Sequence, residues 1–296
     1  MLMRLMLLGG GSALGQALIR LGAEEDISFL APRPPEAGWD AASLAQLLDD
    51  TRPDALINLA YYYDWFQAEA VPPARLKAQQ QGMERLAQLC EQHGVVLVQP
   101  SSYRVFDGAR ATAYSEKDEP LPLGERGQAL WHIEQQVQAV CPQHVMLRFG
   151  WLLDESSDGN LGRFLARAEQ PQPLWLADDR RGNPTPVDDA ARVILSVLKQ
   201  LDCDAPLWGT YHYAGNEATT ALALGQAILA EAEAAGVRRF NAEQLSARAH
   251  AACDDALEEP QHAVLACKKI LHTFGIKPRA WRAGLPALLE RYFRHG

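Results

Sequence analysis

Cysteine is scarce in this chain of 296 residues, and the cysteines present form none of the patterns that give them a structural role. The five are widely spaced, odd in number and contain no C-x-x-C pair: Cys90, Cys141, Cys203, Cys253 and Cys267. Isolated thiols are typical of a reducing compartment, whereas secreted disulfide scaffolds carry dense, even-numbered sets. We therefore expect a cytoplasmic protein that has no disulfide framework and binds no metal.

Long apolar runs and an excess of positive charge are also absent. A membrane-spanning helix needs about 20 consecutive apolar residues, and a nucleic-acid surface needs clustered Lys and Arg. The formal net charge is −9, and no apolar run approaches that length. The apolar start at 1–8 lacks a basic region and a cleavage site, which favours a first strand over a signal peptide. We expect neither a membrane nor a nucleic acid as partner.

The first half of the chain alternates strand-like and helix-like segments. Short apolar stretches predict strands at 5–8, 27–30, 55–59, 95–98 and 145–149, with helices between them. This alternation predicts an α/β fold, a Rossmann-type doubly wound parallel sheet. We expect an NAD(P)-binding domain over 1–150, to which 184–214 returns. The remaining segments, 151–183 and 215–296, would form a smaller, mostly helical substrate lobe. Thr185 and Pro186 look like the start of a helix that runs to about residue 201.

A glycine-rich turn follows the first predicted strand and opens the first helix. It reads Gly9, Gly10, Gly11, Ser12, Ala13, Leu14 and Gly15. Small residues there let backbone N–H groups approach a pyrophosphate at the helix N-terminus. The spacing is similar to the G-x-x-G-x-x-G variant of short-chain dehydrogenases, with Ser12 replacing the middle glycine. The alternative is a tight turn that binds nothing. We favour a dinucleotide site.

The choice between NAD and NADP depends on the end of the second strand. An enzyme that uses NAD often places an acidic residue there to hold the ribose 2′-hydroxyl. Here the segment reads F-L-A-P-R and contains Arg33 but no acid. Arg33 suits a 2′-phosphate and so favours NADP slightly over NAD, although a solvated arginine is the simpler alternative.

Further motifs follow one another in a fixed order. They are R-P-D-A-L-I-N-L-A at 52–60, S-S-Y-R-V-F-D-G at 101–108, Y-S-E-K-D-E-P-L-P at 114–122, R-F-G-W at 148–151, D-R-R-G-N-P-T at 179–185 and G-T-Y-H-Y-A-G at 209–215. Together they resemble the dTDP-4-dehydrorhamnose reductase family over nearly the whole chain. The resemblance implies the Rossmann-type fold, a nicotinamide cofactor and a nucleotide-sugar ligand.

The resemblance also implies a catalytic hydroxyl residue, a Tyr and a Lys, and two of these three are absent. Ser102 stands at the hydroxyl position, but Arg126 and Leu130 stand where the family has Tyr and Lys in Y-G-x-x-K. An arginine has a pKa above about 12 and cannot donate a proton usefully, and a leucine cannot hold a ribose hydroxyl. General acid catalysis contributes roughly 10²–10⁴-fold. We therefore expect the standard reaction to be lost, unless Tyr103 or Tyr63 acts as a displaced acid; packing aromatics are the simpler interpretation of both.

The remaining site residues are also carried over from the family. Beside the cofactor the resemblance places the glycine turn and Leu59, Ala60, Tyr61 and Ser101; around the substrate it places Tyr63, Phe106, Trp151 and Asp179. A structural role is the alternative for Asp179. The aromatic stretch 61–66 could stack on a flat ligand, belong to the core or form a homodimer contact.

Three functions remain open at this point. The first is an NAD(P)-binding, reductase-like protein without the Tyr/Lys reaction. The second is an active oxidoreductase or epimerase of a nucleotide sugar that uses a displaced acid. The third is a regulatory or partner-binding subunit. Residues 209–217, G-T-Y-H-Y-A-G-N-E, are similar to G-T-F-H-W-S-G-N-E of the regulatory beta subunit of methionine adenosyltransferase. A protein that has lost the cofactor as well is a blander alternative.

Overall fold

The computed structural model describes residues 3–35, 39–67, 70–201, 207–237, 240 and 242–295. Strands within these ranges are β1 Leu5–Leu8, β2 Phe29–Leu30, β3 Ala55–Asn58, β4 Val96–Ser102, β5 His144–Phe149, β6 Trp151–Leu153, β7 Leu174–Ala177, β8 Arg181–Gly182, β9 Pro184–Pro186, β10 Gly209–Tyr213, β11 Thr219–Thr220, β12 Leu245–Arg248 and β13 His262–Ala263. The α-helices are α1 Ala13–Glu24, α2 Ala41–Thr51, α3 Pro73–His93, α4 Glu125–Val140, α5 Asn160–Ala168, α6 Val187–Leu201, α7 Ala221–Ala234, α8 Lys268–Phe274 and α9 Leu285–His295.

A sheet of six strands, in the order β10-β5-β4-β3-β1-β2, forms the centre of the molecule, and all its pairings are parallel. Every residue of β1, β3 and β5 is buried, as expected for strands covered by helices on both faces. The predicted α/β fold with a Rossmann-type parallel sheet is confirmed. The second strand is shorter than predicted, and β4 extends to Ser102, which carries the chain directly into the candidate site.

Residues beyond 150 also contribute three small sheets, which the sequence did not predict. The pairings are β6 with β9, β7 with β12, and β8 with both β11 and β13. Helices α5 and α7 pack against them, α9 packs against α7, and α8 packs against β10 and α6, so short strands accompany the expected helices. These strands have only two to four residues each, too few for an alternating pattern to be visible in the sequence.

The predicted helix to about residue 201 is present as α6, but its start is one residue later than predicted and Thr185 does not cap it. Thr185 and Pro186 belong to β9, where Thr185 pairs with Leu152, and α6 begins only at Val187. The Thr185 hydroxyl donates to the carbonyl of Asn183 at 3.3 Å and accepts from the backbone N–H of Gly215 at 3.3 Å. The hydroxyl therefore links two segments of the chain and does not cap the helix.

The aromatic stretch after β3 is mainly part of the core. Tyr62, Trp65 and Phe66 are buried, and Tyr63–Gln67 forms one π-helical turn. The indole of Trp65 donates to Gln79 at 2.8 Å, and Gln79 in turn donates to the buried carboxylate of Asp64. Tyr63 differs from its neighbours because it is 45% exposed. Tyr63 therefore lies partly at the surface and not in the core.

A buried polar network crosses the sheet beneath the candidate site. The carboxylate of Glu134 on α4 accepts from the Ser101 hydroxyl and from Arg148 Nε at 2.9 Å. Arg148 Nη1 lies 3.3 Å from Nε2 of His212 on β10. Burial, followed by the charge of Arg148, lowers the pKa of His212 to about 3. The network ties α4, β4, β5 and β10 together through one buried ion pair.

Candidate functional site

The glycine turn between β1 and α1 has a geometry that only glycine allows at two positions. Gly9 has φ +77°, and a Cβ added there would lie 2.1 Å from the carbonyl oxygen of Leu59. A Cβ at Gly15 would lie 2.6 Å from the carbonyl oxygen of Gly9. The absence of side chains therefore lets the turn pack against the end of β3 and against the first turn of α1.

Ser12 holds this turn in shape. Its hydroxyl donates to the carbonyl of Gly9 at 2.8 Å and accepts from the backbone N–H of Gly15 at 3.1 Å, which makes it the N-cap of α1. Gly11 is exposed, and a Cβ there would meet nothing within 4 Å. The positive end of the α1 dipole thus has open space beside it, which fits a pyrophosphate. Leu14 is fully buried, so only its backbone can take part.

Other expected cofactor contacts come from the segments that follow β3 and β2. Leu59 and Ala60 lie directly after β3, against the glycine turn, and the half-buried Tyr61 follows them. Arg33 is exposed and follows β2, the strand next to β1. The structure therefore brings these residues to the same edge of the sheet as the turn.

Ser101 is placed differently from the expectation. It is only 1% exposed, and its hydroxyl donates to Glu134 inside the protein. The expected cofactor contact through this hydroxyl is not what the structure shows, because the buried carboxylate needs it. Ser102 is also fully buried, and its hydroxyl accepts from the backbone N–H of Arg104 at 3.4 Å.

The two replaced positions on α4 have different surroundings. Arg126 is half-buried and lines a cavity of about 1040 Å³. Burial lowers the pKa of Arg126, with a further contribution from the positive charge of Arg104. Leu130, one turn further along, is 1% exposed and packs in the hydrophobic core. At the position expected for a catalytic Tyr, the guanidinium-bearing Arg126 lines the cavity. At the position expected for Lys, Leu130 is apolar and buried.

Tyr103 also lines the cavity, but its hydroxyl already has a partner. The hydroxyl donates to Oε2 of Glu259 at 2.7 Å, and Nε of Arg104 donates to the other oxygen of the same carboxylate. Burial raises the pKa of Tyr103, and the nearby carboxylate raises it further, against the opposing effect of Arg104. A phenol with a raised pKa keeps its proton at neutral pH and is a poorer acid for a substrate carbonyl.

The cavity wall is rich in arginine although the protein as a whole is acidic. Six arginines line it together with five acids, and they come from α4, α5, β12 and the segments between; the arginines are Arg104, Arg126, Arg163, Arg167, Arg180 and Arg248. Trp151 and the half-exposed Trp175 lie on the same wall. A cavity of this composition suits a ligand that has both negative charges and flat or sugar-like surfaces.

Two expected substrate contacts lie elsewhere. Phe106 is 1% exposed and stacks on Tyr114, with ring centroids 4.3 Å apart. Asp179 accepts from the backbone N–H of His250 at 2.6 Å and from the Gln261 amide at 2.9 Å. Phe106 therefore packs in the core, and Asp179 anchors a loop. Among the expected substrate contacts, Trp151 does line the cavity.

Sequence reasoning missed most of the charged wall. Arg180 donates to Asp255 and His250, and Arg248 lies over the Trp175 ring at 5.3 Å. Arg163 and Arg167 are four residues apart on α5, and this spacing was the one signal that they share a face.

The described residues contain no group of three or more His, Cys, Asp or Glu that could bind a metal. No helix within the described ranges combines the length and the apolar character that a membrane crossing requires.

Comparison with known proteins covers almost the entire chain. The family described as "RmlD substrate binding domain" matches residues 3–294. A dTDP-4-dehydrorhamnose reductase of Sinorhizobium fredii is 25% identical over 282 residues, 94% of each chain. One from Mycobacterium tuberculosis is 27% identical over 295 residues, 97% of this chain and 92% of the relative.

Solved structures share the fold at lower identity. A dTDP-4-dehydrorhamnose reductase from Clostridium acetobutylicum has a TM-score of 0.83 at 19% identity, with 98% of this chain and 99% of the other covered. The enzyme of the same name from Bacillus anthracis, in complex with NADP, has a TM-score of 0.80 at 20% identity, covering 100% and 99%. The family match over residues 3–294, nearly the whole chain, decides the family assignment. The chain belongs to the RmlD substrate-binding-domain family.

Proposed function

We propose that this protein binds NAD(P) at the glycine turn and a nucleotide sugar in the arginine-lined cavity, but does not reduce it with a Tyr/Lys pair. One observation carries the second part of the proposal. Arg126 faces the cavity and Leu130 is buried at the two α4 positions that the reductase chemistry requires. Arg126 cannot usefully donate a proton at neutral pH, and Leu130 cannot bind a ribose hydroxyl.

Cofactor binding is supported by the shape of the turn. Gly9, Gly15 and the Ser12 cap leave the start of α1 open, and a similar fold in Bacillus anthracis is in complex with NADP. Bound NAD(P)H would supply a hydride. Arg33 beside the turn favours the 2′-phosphorylated form. The residues of this chain would bind and orient the dinucleotide through the backbone N–H groups of the turn.

Ligand binding is supported by the relatives and by the cavity. Two relatives that match 94% and 97% of this chain are named dTDP-4-dehydrorhamnose reductase, and the cavity wall offers guanidinium groups suited to a diphosphate. In the proposed organisation, 1–150 with 184–214 holds the cofactor, and 151–183 with 215–296 holds the ligand. A cytoplasmic location belongs to the same proposal.

One observation favours the active enzyme as second candidate. Tyr103 lines the cavity and donates a hydrogen bond there, so a phenolic proton is present near the expected reaction centre. The raised pKa of Tyr103 weakens it as an acid but does not remove it. Tyr63 has no comparable support, because it is 45% exposed on the π-helical turn.

The test combines binding with a single-turnover measurement. NADPH and NADH are titrated by fluorescence, and NADPH oxidation is then followed with dTDP-4-dehydrorhamnose in the wild type and in Arg126→Tyr with Leu130→Lys. We expect binding without turnover in the wild type and oxidation at least about 10²-fold faster in the double variant. Arg126→Tyr alone is the second variant, because a lysine at the buried position 130 could prevent folding.

Three results would change the conclusion. Wild-type turnover that is lost in Tyr103→Phe would establish the active enzyme. Turnover that survives Tyr103→Phe would show that another residue donates the proton, and it would equally refute the expected absence of turnover. Absence of binding by either nucleotide would leave a protein that has lost the cofactor as well.

A further inference from the structure

A side-chain carboxylate is bound at the α4 end of the cavity. Glu259 accepts from the Tyr103 hydroxyl through Oε2 at 2.7 Å and from Nε of Arg104 through Oε1. Tyr103 is 6% exposed and Arg104 is 9% exposed, so both donors are fixed by the surrounding core. Nη1 of Arg104 also donates to the carbonyl of Trp65 at 3.2 Å, which orients the guanidinium. The result is a preformed pair of donors for one carboxylate.

The carboxylate comes from an exposed turn and not from the core. Within residues 253–259, the backbone N–H groups of Glu258 and Glu259 donate to the backbone carbonyl of Asp255 at 3.0 and 2.9 Å. Ion pairs attach the turn to the cavity wall at Arg104 and at Arg180, whose Nη1 donates to Asp255 at 2.9 Å. Glu259 is therefore held by the turn and its ion pairs, and belongs to no strand or helix of the described residues.

Arg126 adds a second guanidinium to the same place. Arg126 lines the cavity with Arg104 and Glu259, and its neighbour Gly127 packs against Arg104, because a Cβ there would lie 2.3 Å from the carbonyl oxygen of Arg104. The neighbouring Gly124 is the N-cap of α4, and a Cβ there would lie 1.9 Å from Oε2 of Glu258. The acidic turn is therefore packed closely against the start of α4. Acidic side chains lie where α4 presents its positive dipole end.

We propose that Tyr103, Arg104 and Arg126 form a carboxylate subsite for the sugar end of the ligand, and that Glu259 holds the place of that ligand carboxylate. The inference rests on the proposed function, because it takes a nucleotide sugar as the occupant of the cavity. Arg126 lines the cavity at the position where the resemblance leads us to expect a catalytic Tyr. The ligand class that fits is a nucleotide-linked sugar acid.

The chemistry of the donors favours an acid over a neutral sugar. When an entering ligand displaces Glu259, the buried guanidinium of Arg104 needs another negative partner, because a buried charge without one is costly. A sugar hydroxyl offers only a neutral oxygen, whereas a carboxylate forms charge-assisted bonds that are roughly twice as strong. Exchange of one carboxylate for another leaves Arg104 paired throughout.

The experiment compares two ligands that differ by one carboxylate. UDP-glucose and UDP-glucuronic acid differ only at C6, and calorimetry gives their dissociation constants, with the corresponding dTDP sugars measured in parallel. We expect the wild type to bind the acid at least about tenfold more tightly, a difference of about 1.4 kcal/mol. Arg126→Gln should reduce that preference, and Glu259→Gln should strengthen binding of the acid without strengthening binding of the neutral sugar.

The matched control is Arg167→Gln, on the α5 wall of the same cavity. It should weaken both ligands by the same factor and leave their ratio unchanged. Equal affinities, or a preference for the neutral sugar in the wild type, would overturn the carboxylate subsite and leave the proposed function standing. If neither sugar nucleotide binds, and UDP and dTDP do not bind either, the proposed function itself fails and this inference fails with it.

Discussion

The buried ion pair between Glu134 and Arg148 allows a quantitative prediction about stability. Glu134 is fully buried, and the side chain of Arg148 is 3% exposed. Glu134→Gln keeps the shape of the side chain but removes its charge, which leaves the guanidinium buried without its anion. Breaking one partner of a buried pair typically costs about 3–5 kcal/mol. Total stabilities are about 5–15 kcal/mol, so the variant should lose a large fraction.

The assay is urea unfolding followed by circular dichroism, with the midpoint and the slope fitted separately. We expect the midpoint to fall and the slope to remain the same, because the surface exposed on unfolding is unchanged. The double variant Glu134→Leu with Arg148→Met is the informative control. It removes both charges, leaves no unpaired ion and should be more stable than Glu134→Gln.

Two outcomes would contradict this reasoning. A loss below about 1 kcal/mol in Glu134→Gln would mean that the guanidinium finds other partners, with His212 the nearest candidate. A double variant that is less stable than Glu134→Gln would mean that packing, and not charge balance, is the main contribution of the pair.

Two further predictions concern the glycine turn and acid sensitivity. Gly9→Ala places a Cβ 2.1 Å from the Leu59 carbonyl at φ +77°, so we expect a loss of about 1–3 kcal/mol in thermal unfolding together with loss of NADPH binding by fluorescence. Gly11→Ala should keep wild-type stability; equal stability of all three proteins would refute the steric argument. His212 has a pKa lowered to about 3, against about 6.5 when unfolded, so the unfolded state takes up the proton first. Stability should therefore fall as pH decreases through this window, and His212→Gln should reduce the slope of unfolding free energy against pH by up to about 1.4 kcal/mol per unit; identical slopes in both proteins would argue against it.

The sheet was predictable because most of its strands contain a short apolar stretch and are separated by helical segments. Leu5–Leu8 and His144–Phe149 are buried along their whole length, and this is what an apolar run in an alternating pattern indicates. Thr185 shows where the local signal failed. Its pairing with Leu152 and its bond to Gly215 are long-range contacts, and such contacts override a capping preference.

The candidate site was predictable only where a motif lay within one element. Arg126 and Leu130 sit on one helix, so their spacing could be compared directly with a known pattern. The bond between Tyr103 and Glu259 joins residues 156 positions apart. No periodicity or local propensity connects such residues, and only the packed fold brings the acidic turn against the start of α4.

The position of β10 at the edge of the sheet has a consequence for synthesis on the ribosome. Its partner β5 ends at Phe149, but Gly209–Tyr213 emerges only after some sixty further residues have been made. Until then β5 presents a free edge, and Arg148 lacks the histidine opposite it in the register. Unpaired apolar edges invite association with other nascent chains. The strands of the first half of the chain therefore depend on β10, which is synthesised later, to complete the central sheet.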